Sequence, residues 1–160
     1  RMARPGGLGH VEKMDVSAAP PPNLRAAMDA AADRDLVARQ YVNGFATVLD
    51  EVRVWLLEGT GHGWTLTDTI IHTQLRLLSC YPDSLIVRKN GPQVAREVSD
   101  RAARVLGAKT ASENQYLEAL SDFDFWLRSD YHRRNPGTTA DLIAAGLFAG
   151  LREGQLKGPF

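Results

Sequence analysis

The chain has 160 residues, room for one domain with a substantial core, and its 19 Lys+Arg balance 19 Asp+Glu to a formal net charge of zero. That balance excludes broad electrostatic capture of nucleic acid or of an anionic membrane, but not a local anion pocket built from a few arginines. A charged fraction of 24% and a hydrophobic fraction of 44% exclude wholesale disorder.

Residues 1–22 carry Gly6, Gly7, Gly9 and then Pro20-Pro21-Pro22, which predicts an irregular arm, since consecutive prolines cannot continue a helix. A helical domain is expected over 23–160. Asn23 suits the N-cap of a short helix with Leu24, Ala27 and Met28. From Asp33 onward Val37, Tyr41, Phe45, Val48, Val52 and Trp55 recur every three or four residues. This stripe predicts one long helix ending at Glu58-Gly59. The next helix is expected to start at Thr67 or Asp68, to bury Ile71, Leu75 and Leu78, and to stop at Pro82. Leu85-Ile86-Val87 has strand-like composition, but no partner strand is evident, and Asn90-Gly91 marks a turn. Pro92 opens a helix with Val94, Val98, Ala102 and Val105 inward, ending at Gly107. Ser112 caps another with Tyr116, Leu120, Phe123 and Leu127 inward. The last helix begins near Thr138 and carries Leu142, Ala145 and Phe148. The expectation is an all-α bundle of five or six helices with short loops.

A single cysteine, Cys80, cannot close an intramolecular disulfide, and no apolar run reaches membrane-spanning length. The N-terminus has no secretion pattern, so a cytoplasmic location is expected. His10, His62, His72 and His132 show no zinc-ligand spacing, and His72 lies just off an apolar stripe, as a boundary histidine does. Trp55, Trp64 and Trp126 read as core or rim aromatics.

Three constellations can carry chemistry. Asp83-Ser84-Leu85-Ile86-Val87-Arg88-Lys89 places an acid, a hydroxyl and two cations in one interhelical stretch. The acid suits a cation such as Mg²⁺, and Arg88 and Lys89 suit phosphate, although a capping aspartate with two solvated cations explains the same residues. In His132-Arg133-Arg134-Asn135-Pro136-Gly137-Thr138-Thr139-Ala140-Asp141, two arginines precede a helix start whose free N–H groups favour anions. There Thr138 or Thr139 could equally cap the helix, with Asp141 completing a capping box. Third, Asp35 and Arg39 lie one turn apart, as an ion pair would, on the helix that continues through Asn43-Gly44. A glycine inside a strong helix points to close approach by a backbone or ligand, helix–helix contact being the simpler cause.

Three blocks together resemble the triphosphoribosyl-dephospho-CoA synthase family. They are Asp33-Arg34-Asp35-Leu36-Val37-Ala38-Arg39-Gln40-Tyr41 through Gly44-Phe45, Pro82-Asp83-Ser84-Leu85-Ile86 with Arg88-Lys89, and Asn135-Pro136-Gly137-Thr138-Thr139-Ala140-Asp141-Leu142. They follow the family's order, span Asp33 to Leu151, and correspond to the C-terminal half of a typical member, so a fragment, a truncated paralogue or one part of a split protein is expected. A homo-oligomer, or a partner supplying the other half, would complete it. The resemblance implies an all-helical transferase that moves a triphosphoribosyl group from ATP to the ribose 2′-hydroxyl of dephospho-CoA and releases adenine. It implies ATP as substrate, Mg²⁺ with it, and small-molecule nucleotides rather than nucleic acid or membrane as partners. Asp83 and Asp141 are the expected catalytic or metal carboxylates. Arg88, Lys89, Arg133, Arg134, Asn135, Gly137, Thr138, Thr139, Asp35, Arg39 and Asn43 are the expected substrate- and phosphate-binding residues. The Asn-Pro-Gly-Thr-Thr-Ala-Asp form of the last motif resembles relatives encoded beside one-carbon, methanopterin-linked pathways, which implies a different acceptor as an alternative.

Overall fold

A computed structural model describes residues 22–157. The expected arm at 1–22 lies outside them apart from its last residue. Among the described residues there are eight α-helices, one π-helical turn and no strand: α1 (Leu24–Asp29), α2 (Leu36–Val42), the π turn (Thr47–Val52), α3 (Arg53–Gly61), α4 (Leu66–Cys80), α5 (Ser84–Asn90), α6 (Pro92–Ala108), α7 (Glu113–Arg128) and α8 (Gly137–Arg152). The all-α class agrees with the periodicity, and the number of helices exceeds five or six. The chain divides into two compact units at Phe45/Ala46.

The first unit holds α1 and α2. Asn23 caps α1, its Oδ1 accepting from Ala26 N at 2.8 Å. Asp35, not Asp33, caps α2, accepting from Val37 N and Ala38 N. The long helix expected from Asp33 to Glu58 is broken. Gly44 and Phe45 take φ of 72° and 63°, and Phe45 N reaches back to Gln40 O at 2.8 Å. This is the left-handed glycine stop in which the second residue past the cap bonds the third-last helical carbonyl. Gly44 is therefore required by its conformation and not by a close neighbour, since a Cβ there would meet nothing within 4 Å. The apolar stripe hid the break because Phe45 and Val48 keep helical spacing across it.

The second unit is built on α6, which packs against α4, α5 and α7. Pro92 occupies its first turn, and Ala95, Val98, Ala102 and Val105 are buried. Together with Leu75, Leu78, Ile86, Tyr116, Phe123 and Leu127 they form one continuous apolar core. α4 starts at Thr65, whose hydroxyl accepts from Asp68 N and donates to the Asp68 carboxylate. α8 packs on the π turn, α3, α4 and α5. Its inward face is Thr138, Thr139, Leu142, Ile143, Gly146 and Gly150, while Phe148, expected inside, is 64% exposed. The glycines let α8 come close: a Cβ on Gly146 would lie 2.6 Å from Val52 Cγ1 and 3.4 Å from Arg53 N.

The three tryptophans sit at the rim of this unit with cations over their rings. Arg76 covers Trp55 at 4.4 Å, Lys109 covers Trp64 at 3.7 Å, and Arg101 and Arg134 lie 4.1 and 4.2 Å from the Trp126 centroid. His72 meets the Trp64 ring edge-on at 4.9 Å. Burial, then Lys109 and Arg76, outweigh Glu58 and lower its pKa from 6.5 to about 4.

Two predictions follow from this packing. Gly146→Ala gains about 1 kcal/mol of helix propensity but drives its Cβ into a buried β-branched side chain beside backbone; a net loss of about 1–2 kcal/mol is expected in urea unfolding. For His72, the unfolded chain titrates near 6.5 and the fold near 4, so only the unfolded chain gains the proton between those values. Stability should therefore fall as pH drops from about 6.5 and level off near 4. Unfolding of His72→Phe at neutral and at acidic pH should show that component of the slope gone; an unchanged slope would assign it to other groups.

Candidate functional site

The second and third sequence blocks meet at one carboxylate. Asp83 is fully buried and precedes α5, where its Oδ1 accepts from Leu85 N at 2.9 Å and Ile86 N at 3.1 Å. The same oxygen accepts from Thr138 Oγ1 at 3.1 Å. Its Oδ2 accepts from both the backbone N and the hydroxyl of Thr139, each at 2.8 Å. One side chain thus caps two helices that start 53 residues apart, counting from Ser84 to Gly137. Ser84 Oγ and Leu85 N both donate to Thr138 Oγ1, which closes the network.

The capping box expected within the last helix does not form in that way. Pro136 is the N-cap and offers no side-chain bond, and both threonine hydroxyls turn to Asp83 instead. Gly137 is fitted to the same joint, since a Cβ there would stand 2.6 Å from Leu85 Cδ2. At the other end of α5, Asn90 Nδ2 donates to Arg133 O at 2.8 Å. The loop between α7 and α8 is thereby held at both ends of α5. Tyr131 and His132 within it adopt left-handed φ of 60° and 61°, and Tyr131 is 96% exposed.

Asp130 organises this loop. Its carboxylate accepts from Arg133 N and from Arg134 N and Nε. The guanidinium bond from Arg134, ahead of the backbone donors, holds the Asp130 carboxyl below its usual range. Arg134 also donates to Trp126 O at 2.7 Å and stacks over the Trp126 ring, leaving its side chain 15% exposed. Its groups are committed to the loop. Arg88 and Lys89 on the last turn of α5, Arg133 and Asn135 on the loop, and Asp141 on α8 are exposed. Asn90 ties the Arg133 backbone to the end of α5 that carries Arg88 and Lys89, opposite the end capped by Asp83.

Asp35, Arg39 and Asn43 belong to the other compact unit. Asp35 caps α2, and Arg39 Nε donates to Ala32 O at 3.1 Å. Asn43 is the C-cap of α2.

For Mg²⁺ the donor set matters. The Asp83 oxygens accept five hydrogen bonds with no exposed surface, a geometry that does not fit a cation ligand. Among the described residues no group of three His, Cys, Asp or Glu gathers as a metal site. None of their helices is long and apolar enough to cross a membrane. Sequence reasoning named the Ser84 hydroxyl without its partner Thr138, and missed the roles of Asn90 and Asp130. Only Asp130 carried a readable signal, its four-residue spacing from Arg134.

These geometries predict a contrast. Asp83→Asn loses acceptors at two helix starts and should cost about 2–4 kcal/mol in denaturant unfolding. Asp141→Asn, on an exposed face, should change stability by less than about 0.5 kcal/mol.

A family model described as ATP:dephospho-CoA triphosphoribosyl transferase matches residues 1–159. No curated protein and no solved structure matches the chain.

Proposed function

The chain belongs to the triphosphoribosyl-dephospho-CoA synthase family, a family of transferases that use ATP, and from that premise we propose that its second unit holds the triphosphate of ATP on the cations at the Asn90 end of α5. The observation that supports this reading is the Asn90–Arg133 bond, which ties exposed Arg133 to the helix end carrying Arg88 and Lys89. A triphosphate kept intact through the reaction needs several cations, and the bond to the Arg133 backbone brings that residue to the helix end carrying Arg88 and Lys89.

The proposed chemistry is a displacement at C1′ of the ATP ribose. The bond from C1′ to the adenine nitrogen breaks, a bond from C1′ to the acceptor's ribose 2′-oxygen forms, and the hydroxyl proton ends on the departing adenine. Positive character at C1′ in the transition state favours a nearby carboxylate. Asp141 is the exposed acid of the two and takes that role here, while Asp83 positions the helices. Arg88, Lys89, Arg133 and Asn135 contact phosphate. Gly137, Thr138 and Thr139 act through the joint, and Arg134 through the loop. Asp35, Arg39 and Asn43 belong to the other unit and are proposed as substrate-binding residues there. Asp141 is also the carboxylate open to Mg²⁺ accompanying ATP. The acceptor is dephospho-CoA, its 2′-hydroxyl receiving the group, and the reaction is placed in the cytoplasm. An alternative acceptor is a nucleotide-like precursor of a one-carbon cofactor, favoured by the Asn-Pro-Gly-Thr-Thr-Ala-Asp form of the motif.

Calorimetric titration with ATP and Mg²⁺ tests the proposal. Saturable binding should weaken about tenfold for Lys89→Ala and for Arg133→Ala, with melting temperature unchanged. Asp141→Asn should weaken binding of ATP with Mg²⁺ and release adenine at least about a hundredfold more slowly. Absence of binding by the folded wild-type chain would overturn the proposal.

A further inference from the structure

The loop between α7 and α8, residues 129–136, buries little of its central part. Tyr131, His132, Arg133 and Asn135 are exposed, so apolar burial does not explain the shape it takes. Two successive residues, Tyr131 and His132, nevertheless hold left-handed φ of 60° and 61°. Such backbone is strained for residues with bulky side chains and persists only where surrounding contacts fix it. The residue directly after the strained pair is Arg133.

The contacts that fix the loop converge on Trp126. Its ring stacks on buried Phe123 at 6.4 Å and packs against the apolar core, which anchors it. Arg134 reaches that ring from the loop at 4.2 Å, and Arg101 reaches it from α6 at 4.1 Å. Each cation is held by a carboxylate one helical turn before it. Arg134 Nε donates to Asp130 at 2.8 Å, and Arg101 donates to Glu97 through Nε at 3.0 Å and Nη2 at 2.8 Å. Arg134 Nη1 also donates to Trp126 O at 2.7 Å, so the loop is tied to this one residue through both backbone and ring. A cation over an aromatic face restrains the orientation of both groups, and Arg101 thereby keeps the indole in the orientation on which Arg134 stacks.

We infer that Arg101 and Trp126 are positioning residues for the proposed triphosphate contact. Through Arg101, Trp126 and Arg134, α6 holds the strained turn that brings Arg133 to the end of α5 carrying Arg88 and Lys89. The inference rests on the proposed phosphate role of Arg133 and adds two residues that act through others. Both lie outside the three sequence blocks that carry the family resemblance.

The test uses Arg101→Met, which keeps the aliphatic stem and removes the cation, on the full chain. Tryptic cleavage after Arg133 under native conditions, followed by mass spectrometry, reads how often the loop opens and needs no ligand. Calorimetry with ATP and Mg²⁺ reads the site. Arg101→Met should be cut at least about fivefold faster and bind ATP about fivefold more weakly, with a melting temperature within about 2 °C of wild type. Arg101→Lys returns a cation to the ring and should bring both values to within about twofold of wild type. Cleavage of Arg101→Met at the wild-type rate would overturn the inference, even where Arg133→Ala weakens ATP binding and the phosphate reading stands. So would equal effects in Arg101→Lys and Arg101→Met, or faster cleavage matched by a general fall in melting temperature, because the role would then be structural only. Faster cleavage with unchanged ATP affinity would reject Arg133 as a phosphate contact, and the inference with it.

Discussion

Everything around the candidate site depends on one buried carboxylate satisfied from two directions. A helix start leaves four backbone donors without intrahelical partners, and two such starts brought together would concentrate unpaired N–H groups in the interior. Asp83 answers both, with one oxygen toward α5 and the other toward α8. The pairing places Leu85 against Gly137 and orients α5 so that Asn90 reaches the α7–α8 loop. Without that carboxylate the cations at the end of α5 would have no fixed relation to the helix bearing Asp141. The site is therefore positioned by a residue that has no exposed surface of its own.

The elements that could be read from the sequence are those whose signals are local. Asn23, Ser112 and Pro92 mark helix starts through contacts within one turn, and each does so in the structure. The stripes of α6 and α7 arise from a single period and a single core. What misled was non-local or conformational. Thr138 and Thr139 have the composition of a local cap, but their partner lies 55 and 56 residues away. Gly44 sits inside an uninterrupted apolar stripe, and only its positive φ shows that the helix stops there. Arg134 looked like a phosphate ligand because two adjacent arginines before Pro-Gly are read as a pair. The structure separates them, stacking one on Trp126 and leaving the other exposed.

Zero net charge conceals a division of labour among the cations. Arg76, Arg101, Lys109 and Arg134 place their charged heads over tryptophan rings. Arg88, Lys89 and Arg133 cluster at one helix end and its facing loop. The second group is exposed and does not stack on tryptophan. The composition, which counts both groups alike, does not distinguish them.

The span between Asp83 and Thr139 also bears on the order in which the molecule assembles. The joint closes a chain segment that contains the whole of α6 and α7, and closing a long flexible loop is entropically costly until the intervening helices have paired. α6 and α7 are sequence neighbours and form early by comparison. That order predicts that contacts at Asp83 form on the native side of the folding barrier. Their strength governs how slowly the molecule comes apart more than how fast it forms, so the joint acts as a latch on the lifetime of the site.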